Sequence, residues 1–148
     1  MLDEDGLFDD LTPICKGMGL TLVDCRLQQS KTGSSCQLIV FKKEGVSTGD
    51  CALAYRTLMP RLEILLNTQD ISLEVSSPGT DRKIRLPREY PLFIGRGLTV
   101  LKRDSSSESG ILESIDDESI TITNKKGNVR ILLLDITKAK LDYTQEVS

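Results

Sequence analysis

Ile71-Ser-Leu-Glu-Val-Ser-Ser-Pro-Gly-Thr-Asp-Arg-Lys-Ile-Arg-Leu-Pro87 separates two textures in this chain. Ile71, Leu73 and Val75 alternate with Ser72, Glu74 and Ser76, the period of a strand with one buried face. Ser76-Ser-Pro-Gly79 ends that strand sharply, since proline offers no N–H and fixes its own φ. Thr80 to Leu86 reads as a short returning strand or an extended linker. Helical and strand periods mix before this stretch; after Pro87 and Pro91 only short β-prone runs follow. We therefore expect a first domain over residues 1–86 and a second over 87–148 of a 148-residue chain.

Upstream, Leu7, Leu11, Ile14 and Met18 recur at steps of four, three and four, one stripe of an amphipathic helix that Phe8 and Cys15 widen. Pro13 sits in the first turn of a late-starting helix or marks a kink, and Gly17 and Gly19 supply a stop. Residues 20–28 alternate, with Thr21, Val23, Cys25 and Leu27 on one face. Gln28-Gln-Ser-Lys-Thr-Gly-Ser-Ser35 is turn material, and Cys36 to Phe41 completes a hairpin. Ser47 with Asp50 three residues on has the form of a capping box. The alternative, a phosphate cradle at residues 45–50, lacks the G-x-x-x-x-G-K-[ST] pattern. Cys51, Tyr55, Leu58, Leu62 and Leu65 then follow at helical spacing, bent at Pro60. The order α-β-β-α-β, two helices over one antiparallel or mixed sheet, is a two-layer α+β fold.

Downstream, residues 98–102, 111–115, 119–123, 129–134 and 139–143 are short β-prone runs. Ser105-Ser-Ser, Asp116-Asp-Glu and Lys125-Lys-Gly-Asn separate them. Five short strands at near-regular spacing suggest a small barrel.

Composition excludes several functions. There is no run of 18 apolar residues, hence no membrane span. The start Met-Leu-Asp-Glu-Asp-Gly is not a secretory signal, so a cytoplasmic protein is expected. The chain has no histidine, the commonest partner of a nucleophilic Ser or Cys, and no G-x-S-x-G elbow surrounds Ser77. No catalytic residue is assigned. The four cysteines, at 15, 25, 36 and 51, form no C-x-x-C pair and read as small apolar residues; no metal site is assigned. Asp116, Asp117 and Glu118 fall in a turn and lack calcium-loop spacing. The six aromatics do not alternate with bases on any expected strand, which argues against base stacking of the RNA-recognition-motif kind. No heptad run is visible, and a monomer is the default.

Charge points elsewhere. The net charge is −3, and residues 1–10 hold five acids without a base. Yet residues 76–103 carry Arg82, Lys83, Arg85, Arg88, Arg96, Lys102 and Arg103 against only Asp81 and Glu89, a local net of +5. Such a belt can hold phosphate on an otherwise anionic molecule.

Leu73-Glu-Val-Ser-Ser-Pro-Gly-Thr-Asp-Arg82 resembles the L-E-V-S-S-P-G-x-D-R signature of the ribosome maturation factor RimP family, matching all nine fixed positions. Gly17-Met-Gly-Leu-Thr-Leu-Val23 resembles the family's G-x-x-L-x-x segment before the first strand. Gly45-Val-Ser-Thr-Gly-Asp-Cys51 resembles its opening of the second helix, and Ile136-Thr-Lys-Ala-Lys-Leu141 its closing I-x-K-A-x-L. Phe41-Lys42 and Asn67-Thr-Gln-Asp-Ile-Ser72 depart from the family pattern. The resemblance implies an α+β N-terminal domain followed by an SH3-like/Sm-like barrel. It implies a non-enzymatic factor, without cofactor, that binds the free small (30S) ribosomal subunit during maturation. Small-subunit RNA and a ribosomal protein near the decoding region are the implied contacts. The other class considered is a general RNA-binding or protein-adaptor module built on the Sm-like barrel.

The signature and the basic belt coincide, so the candidate partner-binding residues are Ser77, Pro78, Gly79, Asp81, Arg82, Lys83, Arg85, Arg88, Arg96, Lys102 and Arg103. We expect Pro78 and Gly79 to turn the chain at a seam between modules and expose Arg82, Lys83 and Arg85. The rival reading is structural, an Asp81–Arg82 ion pair bracing the turn.

Overall fold

In the computed structural model, which describes residues 2–146, the chain forms two compact units, one ending at Pro78 and the other beginning at Gly79.

The first unit contains α1 (Glu4–Gly17), β1 (Thr21–Ser30), β2 (Gly33–Phe41), α2 (Thr48–Leu66) and β3 (Ile71–Ser76), as the α-β-β-α-β order required. β1 and β2 are antiparallel, β2 and β3 parallel, so the sheet is mixed, in the order β1-β2-β3. A parallel neighbour needs a long crossover, and α2 supplies it. Leu7, Leu11 and Cys15 of α1 and Ala54, Leu58 and Leu62 of α2 meet Leu22, Cys25, Cys36, Leu38 and Val40 in one core. Each fully buried leucine contributes about 2 kcal/mol from area removed from water.

Local chemistry places these elements. Asp3 caps α1 by accepting from Gly6 N at 2.8 Å. Glu4 accepts from Leu27 N at 2.8 Å, and Asp10 pairs with Arg61 at 3.0 Å. Much of the acidic start therefore serves the fold. Pro13 lies well inside α1 rather than in its first turn.

Three expectations shift. The loop assigned to residues 28–35 shrinks to a tight turn, because the strands pair as far as Ser30↔Gly33. Val23 is an extra, bulged residue between the pairs Leu22↔Val40 and Asp24↔Ile39, so Leu22 and Cys25 both reach the core while Thr21 is exposed. On α2, Ala54 takes the buried place expected of Tyr55, which stays 42% exposed.

The second unit opens with a turn and a 3₁₀ helix (Pro87–Phe93). It continues through β4 (Gly97–Lys102), β5 (Ser107–Ile115), β6 (Ser119–Asn124), β7 (Gly127–Leu132) and β8 (Ile136–Leu141). The five runs thus become five strands of one antiparallel sheet, ordered β7-β6-β5-β4-β8. A 3₁₀ turn at Leu133–Asp135, not a ladder, joins β7 to β8, so the expected barrel is an unclosed sheet among the described residues. Phe93, Leu98, Val100, Leu112, Ile120, Ile122 and Leu141 are buried. Glycine is required at 97, where a Cβ would lie 2.1 Å from the Asp142 carbonyl oxygen.

The chain is α+β as expected. Among the described residues, no helix is long and apolar enough to cross a membrane.

Candidate nucleic-acid interface

The signature spans the division between the units. Ser77 and Pro78 close the first; every base of the belt, from Arg82 to Arg103, belongs to the second. Arg82 N donates to the Gly79 carbonyl at 3.3 Å, closing a turn. The chain then runs beside β8: Leu141 N donates to the Arg82 carbonyl and Ile84 N to the Ala139 carbonyl, each at 2.8 Å. Lys83 and Lys140 form an antiparallel bridge. The segment read as a returning strand or linker is thus a one-bridge addition to the second sheet.

Glu89, which in the sequence only offsets the charge of the belt, organises this corner. Its carboxylate is fully buried. Oε1 accepts from Arg82 Nε at 2.9 Å, while Oε2 accepts from Arg85 N and Leu86 N, each at 3.0 Å. Glu89 is the third residue of the 3₁₀ helix, so it reaches back to cap the first turn. Burial and the Glu89 charge push the neighbouring Tyr90 phenol up to about 12.

Two expectations are corrected here. Arg82 is not an exposed side chain: only 13% of it is accessible, because its charge is drawn to a buried carboxylate. The brace exists, but its acid is Glu89; Asp81 stays exposed. Seven residues separate Arg82 from Glu89, and the extended segment plus one helical turn is what brings them together.

The remaining candidates scatter. Arg96 pairs with Glu146 at 3.1 Å, Lys102 lies 3.9 Å from Glu108, and Arg103 donates from Nε to the Leu134 carbonyl. Arg88 has its Nε and Nη2 buried, and Arg85 is half-buried. Ser77 and Gly79 are exposed. Lys83 is the belt's exposed lysine, and the fold sets Lys138 and Lys140 of β8 beside it. Both β8 lysines lie outside the contiguous basic stretch 76–103. Their signal was the alternation Lys138-Ala-Lys-Leu141, a strand with basic and buried faces.

Residues 11–81 match the family model of the RimP N-terminal domain. This segment is similar to a RimP N-terminal domain. Beyond that segment the chain is similar to the ribosome maturation factor RimP of Borrelia recurrentis (strain A1), 26% identical over 139 residues covering 94% of this chain and 96% of that protein. The RimP-family resemblance seen in Leu73 to Arg82 is borne out.

Proposed function

We propose that this protein is a non-enzymatic, monomeric, cytoplasmic assembly factor that binds the immature 30S subunit and assists its maturation. The observation that carries the reading is the match to a RimP N-terminal domain together with similarity to a maturation factor across both units. The histidine-free composition and the basic stretch over residues 76–103 agree with binding rather than turnover. Small-subunit RNA and a ribosomal protein near the decoding region are the contacts this reading takes from the family. The candidate residues Ser77 to Arg103 enter unequally. Lys83 offers its charge outward, whereas Arg82 shapes the turn that presents it.

Co-sedimentation tests the proposal. Purified protein added to a lysate gradient is expected to travel with free small subunits and to be absent from mature ribosomes. Equal association with every RNA-containing fraction would instead favour a general RNA-binding module, and turnover of a metabolite would end the reading.

A further inference from the structure

Lys83 and Lys140 stand directly opposite one another. The bonds flanking them, Ile84 N to Ala139 O and Leu141 N to Arg82 O, make this the narrow, non-hydrogen-bonded kind of antiparallel pair. Side chains approach closest in such pairs, with Cα atoms about 4.5 Å apart. Like charges placed this way oppose folding. Lys138 lies on the same face of β8, since Ala139 and Leu141 turn inward at 3% exposure each. All three lysines are exposed, and among the described residues none is ion-paired. The next carboxylate along the chain, Asp142, is engaged by Thr99, Thr144 and Gln145.

A fold that sets two lysines against each other at the closest register, with no acid between them, is completed by an external anion. We propose that Lys83, Lys138 and Lys140 form a phosphate clamp for the RNA backbone. This rests on the reading that the chain binds small-subunit RNA, and it adds two residues and a specific geometry to it. The surroundings favour RNA over an acidic protein. Thr99 of β4 faces Lys140, and Ser109 of β5 faces Thr99. Their hydroxyls bond each other, and Thr99 also donates to Asp142 Oδ2, so the row offers an anion its lysines rather than its hydroxyls. None of the large exposed apolar side chains, which a protein partner would need as anchors, stands in this row.

The test measures binding of a short mixed-sequence single-stranded RNA over a salt series. The triple variant Lys83→Gln/Lys138→Gln/Lys140→Gln is expected to lower the salt slope by about 2, roughly 0.7 per lysine. Lys125→Gln/Lys126→Gln, on the β6–β7 turn, removes charge elsewhere and is expected to leave the slope unchanged. Lys140→Glu replaces repulsion by a cross-strand ion pair with Lys83. It is expected to raise the melting temperature while weakening RNA binding, which separates lost binding from lost fold. An unchanged slope in the triple variant overturns the clamp, as does an equal fall in the Lys125/Lys126 control. So does a wild-type protein that binds poly-L-glutamate as tightly as RNA. If the triple variant still co-sediments with free small subunits at unchanged salt dependence, the clamp is wrong and the assembly reading stands. If wild-type protein ignores subunits but its RNA binding depends on the three lysines, the assembly reading falls and the clamp stands.

Discussion

Glu89 and Arg82 form a buried ion pair, 2.9 Å between Oε1 and Nε, with the glutamate side chain fully inaccessible and the arginine 13% exposed. Two backbone N–H groups, from Arg85 and Leu86, fill the second carboxylate oxygen. The most charged stretch of the chain is thereby tied down by a residue that looks like an incidental surface acid in the sequence.

Removing either partner leaves a buried charge without its mate. Arg82→Ala and Glu89→Gln are each expected to destabilise the second unit by about 3–5 kcal/mol, against about 0–1 kcal/mol for an exposed pair. Urea titration followed by a probe in that unit checks this. A wild-type midpoint in Arg82→Ala would show that the brace carries no stability.

Ser47 and Asp50 complete a capping box on α2. Asp50 N donates to Ser47 Oγ at 3.0 Å, and Ser47 N donates to Asp50 Oδ2 at 2.9 Å. Ser47→Ala is expected to cost about 1 kcal/mol and Ser47→Gly only a few tenths. Equal midpoints for Ser47→Ala and wild type in denaturant would count against the box.

Asp142 is held down to about 2 by hydrogen bonds from Thr144 and Thr99. A carboxyl whose pKa is lower folded than unfolded stabilises the fold above its unfolded value, near 3.9. That contribution is lost as pH falls through about 2. Thermal midpoints recorded from pH 5 downward are therefore expected to fall less steeply in Asp142→Asn than in wild type over this window. Parallel curves would show that Asp142 is not linked to folding.

The four free thiols differ in access. Cys15, Cys25 and Cys36 are buried in the first core, and burial pushes Cys15 up to about 11; Cys51 is half-buried at the start of α2. Thiolate is the reactive form, so a thiol reagent at neutral pH is expected to label Cys51 alone in the folded protein and all four cysteines in denaturant. Rapid labelling of Cys15 without denaturant would contradict the packing.

Much of the fold is legible in the amino-acid order because it follows from local periods. The alternation at Ile71, Leu73 and Val75, the Ser47–Asp50 spacing and the five short runs after residue 97 each depend on neighbours a few residues apart, and each became the expected element. The bulge at Val23 was not legible. It leaves composition unchanged and appears only when β1 pairs with β2, where it moves Leu22 to the core.

The charged corner shows the same division. Sequence alone located the basic stretch and the signature that ends β3, since both are contiguous. Which bases face outward was settled by pairing: Arg82 finds Glu89 across a turn, and Lys83 meets Lys140 from the far end of the chain. Charge is a property of a residue, but availability of that charge depends on which strands lie side by side, and long-range register is not written in any local period.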